Sequence, residues 1–362
     1  MQTTIAVLPG DGIGPEITAC ALDILRTVRP DLAYVECLVG GAALERGLPA
    51  FPDETRAVCD RSAAILFGAV GLPMYEGRPL QERPEWSLFQ LRSGYELFAN
   101  LRPVSVFPGL EDASSLLPDL VRGLDIVVVR ELTSGLYFGK PKETKIIDGV
   151  ETAIDTMVYT APEVERIARV AFELARKRRK QLTSIDKQNV LETSRLWRRV
   201  VDRVAQEYED VKLDHLLVDN AAMQLVRRPK TFDVLVTENL FGDILSDEAA
   251  ILTGSIGNLP SASLGTRTSG HGQFGMYEPI SGSAPDIAGK GIANPVAAIL
   301  STALLLRHSL SDEENALRVE DAVKDAIGAG ARTADMVRGD YPILNTREFT
   351  GRVQEALAVA AS

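Results

Sequence analysis

Short apolar, β-branched runs alternate along this chain with segments of helical spacing, and Gly, Pro or a charged residue punctuates most of the changes of period. A buried parallel strand reads as a continuous apolar run, and a helix packed on it repeats apolar residues every three to four positions. Strands are predicted at residues 5–8, 64–67, 125–130, 182–185, 213–218 and 232–237. Helices are predicted from Pro15, whose fixed φ suits a first turn, then over 88–98, 162–180 with Thr160 as N-cap, 190–208, 221–227 and 241–252. Three more follow at 295–306, which is nearly all apolar and so buried, 312–327 and 346–360. Alternation of this kind specifies an α/β fold.

Two stretches depart from the pattern. Residues 132–159 hold Gly135, Gly139, Pro141 and Gly149 among many Thr, Ile and Val, which predicts a β-hairpin excursion. Such an arm has little to pack on alone, so it is a dimerisation element. Residues 254–292 are rich in Gly, Ser and Pro and are read mostly as loop; a loop that long in a compact domain usually binds a ligand.

At 362 residues the chain has room for two domains. Its 39 Lys and Arg against 50 Asp and Glu leave a net charge of −11, which argues against nucleic acid or an anionic membrane as partner. The basic run 176–180 is local and closes a predicted helix, where cations suit the dipole. Cys20, Cys37 and Cys59 are odd in number and lack a C-x-x-C, which fits reduced thiols in a cytosolic protein. Residues 3–8 are too short for a signal h-region, and no apolar run reaches membrane-spanning length.

The chemistry-bearing residues cluster at predicted element ends. Asp243 and Asp247 lie i,i+4 on one helix face. Stacked like charges repel unless a cation sits between them, and carboxylate oxygens suit Mg²⁺ or Mn²⁺; the same spacing also describes a solvated acidic face. Arg92, Arg102 and Arg130 offer planar guanidinium groups for carboxylates or phosphates. Arg102 precedes Pro103 and is therefore biased to extended structure. Lys187 and Asp219 follow predicted strands, at the carboxyl mouth where α/β sites lie. Tyr137 sits between Gly135 and Gly139, and the three histidines are scattered. The Gly10-Asp11-Gly12-Ile13-Gly14-Pro15 turn is not a Rossmann fingerprint, because Pro15 stands where the third Gly is required.

Taken together, Pro9–Glu16, the run 97–103, Asp186-Lys187-Gln188-Asn189, residues 239–247 and Gly282-Ser283-Ala284-Pro285-Asp286 through Lys290 closely resemble the β-decarboxylating dehydrogenases of the isopropylmalate/isocitrate family, over nearly the whole chain. The resemblance implies a non-Rossmann, two-domain α/β subunit. Residues 1–99 with 254–362 would form a discontinuous NAD-binding domain. Residues 100–253 would form the substrate, metal and dimerisation domain, with the β arm at 132–159. It implies a homodimer with shared active sites. Arg92, Arg102 and Arg130 would hold the carboxylates of a 2-hydroxy dicarboxylate. Asp243 and Asp247 would bind Mg²⁺ or Mn²⁺ with Asp219 of the second copy. Lys187 would be general base to the C2 hydroxyl, its pKa lowered by nearby cations, and Tyr137 the acid that protonates C3.

The same match places Glu278, Ser281, Gly282, Ser283, Ala284, Asp286, Ile287 and Asn294 around the cofactor. A carboxylate at Asp286 favours NAD over NADP, since it accepts from a ribose 2′-OH and repels a 2′-phosphate. Glu85, Leu88 and Phe89 fall where an apolar wall meets the substrate's alkyl group. Phe89 replaces a Leu, Ser281 stands where many relatives carry His or Gly, and the loop 265–277 is longer than usual. The implied activity is oxidative decarboxylation of 3-isopropylmalate in leucine biosynthesis, with D-malate, tartrate or another 3-alkylmalate as alternatives within the family. From a different class, the acidic helix and the arginines would also suit a Mg²⁺-dependent phosphoryl-transfer enzyme.

Overall fold

In the computed structural model, which describes residues 2–359, the apolar runs pair into sheets and the amphipathic segments cover them. The strands are β1 Thr4–Gly10, β2 Ala33–Glu36, β3 Ala64–Ala69, β4 Ala99–Ser105, β5 Asp125–Glu131, β6 Lys142–Ile147, β7 Val150–Asp155, β8 Gln181–Asp186, β9 Lys212–Leu217, β10 Val234–Thr237, β11 Pro260–Thr268 and β12 Gln273–Pro279.

The chain divides into two units. The first comprises the chain up to Leu97, Ser105–Gly123, and the chain from Ala250 on. Its strands run β2-β1-β3-β12-β11. β1, β2, β3 and β12 are parallel, and β11 returns antiparallel to β12. Both faces of this sheet are covered; Leu8, Phe67, Leu91, Phe274 and Met276 share one cluster. The helix Val296–Ser309 is buried along its length apart from Arg307 and His308, as an almost uniformly apolar segment requires.

The second unit comprises Phe98–Val104 and Leu124–Ala249. Its strands run β4-β5-β10-β8-β9, with β5, β10, β8 and β9 parallel. The helix Ala161–Arg176 starts at a capping box, the Glu163 carboxylate accepting the Thr160 N–H at 2.7 Å. From this unit β6 and β7 form a two-stranded antiparallel hairpin of largely exposed residues. The basic run that follows Ala161–Arg176 is engaged in ion pairs: Arg178 and Arg179 reach Asp233, and Arg176 and Lys180 reach Asp210.

Several expectations need correction. Residues 254–292 are irregular over much of their length, but they also hold an unexpected hairpin of β11 and β12, which takes in most of the segment 265–277. Small buried polar residues hid the strand; Ser261 and Ser263 are buried, and Ser261 Oγ donates to the Glu278 carbonyl at 3.0 Å. The helix expected over 88–98 is Trp86–Gly94, and that expected over 190–208 is Glu192–Ala205. Residues 105–123 group with the first unit, where Arg332 donates to the Gly109 carbonyl. β2 and the helix Asp53–Arg61 were not anticipated. Among the described residues no helix is long and apolar enough to cross a membrane, and Cys20, Cys37 and Cys59 are free.

Candidate active site

In the central unit Arg102, from the middle of β4 rather than the element end expected, and Arg130, near the carboxyl end of β5, converge on the helix Asn239–Ile251. Arg102 lies in β4 and Arg130 near the end of β5; they are 6% and 2% exposed. A guanidinium buried this far must be paired. Arg102 donates to Asn100 Oδ1 at 2.7 Å and Ser246 Oγ at 2.6 Å, and lies 3.4 Å from Asp247 and 3.5 Å from Asp243. Arg130 donates twice to Asn239 Oδ1, at 2.8 and 3.1 Å, and once to Asp243. Its aliphatic stem lies so close to the helix that a Cβ on Gly242 would come 2.6 Å from Arg130 Cγ.

Tyr137 ends a short 3₁₀ turn, Gly135–Tyr137, and donates to Asp243 Oδ2 at 2.8 Å. Burial, and then Asp243, push its phenol above the ordinary tyrosine value. Burial also pushes the Asp247 carboxyl up; Asp243 adds to this and Arg102 opposes it. The i,i+4 pair presents carboxylate oxygens beside two arginines, a hard-oxygen donor type that fits a divalent cation.

Lys187 follows β8 directly, and its Nζ donates to Asp219 Oδ1 at 2.5 Å. Asp219 comes two residues after β9, in the first turn of the helix Val218–Arg227. The Lys187 hydrogen bond draws its carboxyl below the ordinary value. Among the described residues no group of three or more His, Cys, Asp or Glu is gathered to hold a metal. A single chain thus does not bring Asp219 to Asp243 and Asp247.

In the first unit Glu85, Leu88, Phe89 and Arg92 fall at i, i+3, i+4 and i+7, one face of the helix that Glu85 caps. Arg92 donates to Glu278 at 3.2 Å, so a residue expected at the substrate and one expected at the cofactor are partners. Arg92 Nε and Glu85 Oε2 are buried without a hydrogen-bond partner. Such groups cost about 1–3 kcal/mol each unless a ligand or water satisfies them. Phe89 stacks on Trp86 with ring centroids 6.1 Å apart.

The segment Gly282–Lys290 packs on the N-terminal glycine turn. Ser283 O accepts from Ile13 N at 2.8 Å, and Ser283 Oγ donates to Gly71 O at 2.7 Å. Gly12 has φ +59°, and a Cβ there would stand 2.0 Å from Ser283 O. Backbone from this segment therefore requires glycine at position 12, while Gly10 and Gly14 are crowded instead by Ala69 O and Pro9 O. Asp11 completes the clasp, its buried carboxylate accepting three backbone N–H groups, from Gly41, Ala42 and Gly71. Beyond it Ser281 and Ile287 are half-buried, Gly282 and Asp286 are exposed, and Ala284 holds a φ of +39°. The Asn294 amide donates to Asn258 and Asp335, both at 2.9 Å, and its oxygen accepts from Val296 N at 3.0 Å.

Sequence reasoning missed Asn239, Gly242 and Ser246 as the residues that seat the two arginines. The signal was present, since all three lie in the run that carries Asp243 and Asp247.

A family model described as isocitrate/isopropylmalate dehydrogenase matches residues 4–353. The chain is 52% identical to the 3-isopropylmalate dehydrogenase of Halalkalibacterium halodurans over 99% of this chain and 98% of that one. It is 54% identical to the 3-isopropylmalate dehydrogenase of Symbiobacterium thermophilum over 97% of each. Among solved structures, the isocitrate dehydrogenase of Methylococcus capsulatus superposes with a TM-score of 0.86 at 34% identity, covering 98% of this chain and 99% of that one. Agreement of this extent, over a chain whose arginines and paired aspartates already converge on one helix, means that the protein belongs to the isocitrate/isopropylmalate dehydrogenase family.

Proposed function

We propose that this chain catalyses the NAD-dependent oxidative decarboxylation of 3-isopropylmalate to 4-methyl-2-oxopentanoate, a step of leucine biosynthesis. The observation that carries this reading is identity of 52% with a relative of that activity over 99% of the chain. The helix face formed by Glu85, Leu88, Phe89 and Arg92 supports it, because it sets an apolar wall beside a cation.

In this reading the unit built from both chain ends holds NAD, and the central unit holds a divalent metal and the substrate. The exposed Asp286 carboxylate accepts from the ribose 2′-OH, with Glu278, Ser281, Gly282, Ser283, Ala284, Ile287 and Asn294 around it. Asp243 and Asp247 hold Mg²⁺ or Mn²⁺, and Asp219 of a second copy completes the set. When bound, the metal supplies Lewis-acid polarisation of the C2 oxygen, and NAD supplies the hydride acceptor. Arg92, Arg102 and Arg130 orient the substrate carboxylates. Lys187 of the second copy takes the C2 hydroxyl proton, and Tyr137 delivers a proton to C3 after carbon dioxide leaves.

A homodimer is part of this reading. Met223 and Ile244 are 60% and 58% exposed on helices of the central unit, and Ile146 and Val150 are exposed on the hairpin; in this reading a second copy covers them. The three free thiols accord with a cytoplasmic enzyme. The test is NADH formation with Mg²⁺ or Mn²⁺ across 3-isopropylmalate, D-malate, tartrate, isocitrate and other 3-alkylmalates. The highest kcat/KM is expected for 3-isopropylmalate. Preference for another acid would place the Trp86–Phe89 stack in control of a different alkyl group, and no NADH from any of them would overturn the reading.

A further inference from the structure

Tyr159 lies behind the candidate site and is assigned no part in the chemistry above. It is 7% exposed, and its hydroxyl occupies a meeting point of three segments. The Tyr159 oxygen accepts the Asn239 N–H at 2.9 Å, at the first residue of the helix that carries Asp243 and Asp247. Its hydrogen faces two buried carboxylates, Glu131 Oε2 at 3.5 Å and Glu238 Oε2 at 3.4 Å. Glu131 closes β5 directly after Arg130 and accepts the Ser134 N–H at 2.9 Å. Glu238 caps the helix Asn239–Ile251, accepting from Leu240 N at 3.1 Å and Phe241 N at 2.6 Å.

The turn that carries Tyr137 rests on the same side chain. Gly135 has φ +74°, and a Cβ there would come 2.5 Å from the Tyr159 oxygen and 2.9 Å from its ring. Gly135 N also donates to Val158 O at 3.1 Å. On the far side the Tyr159 ring meets Trp197 edge-on, with centroids 5.7 Å apart.

We infer that Tyr159 is a positioning residue for the reaction, setting the turn of Tyr137 against the helix of Asp243 so that the 2.8 Å contact between those two side chains is maintained. It touches no reacting atom. A buried phenol with one donor and one acceptor function suits this task, because it accepts the helix N–H while its own O–H points to the Glu131 and Glu238 carboxyl groups. The inference rests on the assignment of Tyr137 and Asp243 to the site.

The experiment compares Tyr159→Phe, Gly135→Ala, Trp197→Phe and Tyr137→Phe in the full-length enzyme with metal, NAD and substrate. Tyr159→Phe should lower kcat on the order of ten- to a hundredfold, the scale of a slight misplacement, with KM for NAD unchanged. The solvent deuterium isotope effect on kcat should rise as protonation at C3 becomes slower. Gly135→Ala, which presses on the same hydroxyl from the other side, should give the same signature. A fluorine label on Tyr137 should change its resonance in Tyr159→Phe even without substrate. Trp197→Phe keeps an aromatic ring beside Tyr159 and loses only the indole donation to Ser184 Oγ at 3.1 Å, which does not involve the Tyr159 hydroxyl, and it should leave the isotope effect as it was. Wild-type kcat and fluorine resonance in Tyr159→Phe would overturn the inference, as would an equal change in Trp197→Phe. Full turnover in Tyr137→Phe would instead overturn the reading of the site on which the inference stands.

Discussion

Tyr137 donates its hydroxyl to Asp243 across 2.8 Å, so the candidate acid and a candidate metal carboxylate are joined within one chain. Burial and this carboxylate both hold the phenol proton on, which supports the proposed role of Tyr137 as the acid. Tyr137→Phe should lower kcat about a hundredfold or more, the scale of general-acid catalysis, while KM for NAD stays as it was. A kcat close to wild type would remove Tyr137 from the proton transfer.

Lys187 and Asp219 form their own ion pair. Lys187→Ala should abolish turnover and spare NAD binding, measured by quenching of protein fluorescence. If each site draws Lys187 from the second copy, mixing Lys187→Ala and Tyr137→Phe chains under exchange conditions rebuilds an intact site in the mixed pair, and activity returns. Mixtures that stay inactive after proven exchange would show that each chain serves its own site.

Asp286 is itself exposed, so its charge can be changed without disturbing the core. Asp286→Arg should raise KM for NAD about tenfold or more and lower that for NADP, since a carboxylate favours a ribose 2′-OH and a guanidinium favours a 2′-phosphate. If neither constant moves, the cofactor does not meet this segment.

Glu131 and Glu238 are held above the ordinary carboxylate range, burial being the largest cause for both. Each binds its proton more tightly in the folded chain than in the unfolded one. Stability is therefore lost as pH rises from about 4.3, the ordinary glutamate value, through the raised one. Glu238→Gln removes one such group. Its melting temperature should decline less than wild type across that window, whatever the constant offset from the altered helix cap. An equal or steeper decline would contradict this.

Gly12→Ala places a methyl where Ser283 O stands and strains a positive φ. The backbone conformation alone costs about 1–2 kcal/mol, and the clash adds to it. Thermal melting should fall by several degrees, and KM for NAD should rise because the segment through Asp286 must shift. A lowered melting temperature with KM unchanged would confine the clasp to stability.

The legible part of this molecule was the part written in contiguous runs. Arg102, Arg130, Asp243 and Asp247 could be read because each lies in a motif of recognisable residue types within a strand or on one helix face. The hairpin of β11 and β12 could not, since Ser261 and Ser263 occupy buried positions that a hydrophobic pattern assigns to Val or Ile. Asn239 was visible but its task was not; its partner Arg130 lies 109 positions away, and no local spacing reports that contact. The pairing of Lys187 with Asp219 was hidden for the same reason, as adjacent parallel strands bring together residues 32 apart. Arg92 and Glu278, expected on substrate and cofactor respectively, proved to be hydrogen-bond partners across 186 positions.

The hairpin of β6 and β7 carries a kinetic consequence. Every residue of β6 is exposed, and two strands without a third or a supporting layer are at best marginally stable in water. On the homodimer reading, such a segment acquires its support only when a second subunit arrives. Recovery of activity after dilution from denaturant should then contain a step whose rate rises with protein concentration, while the helical signal returns in a first-order phase that does not. The last event in making this enzyme would be a collision between two nearly finished chains.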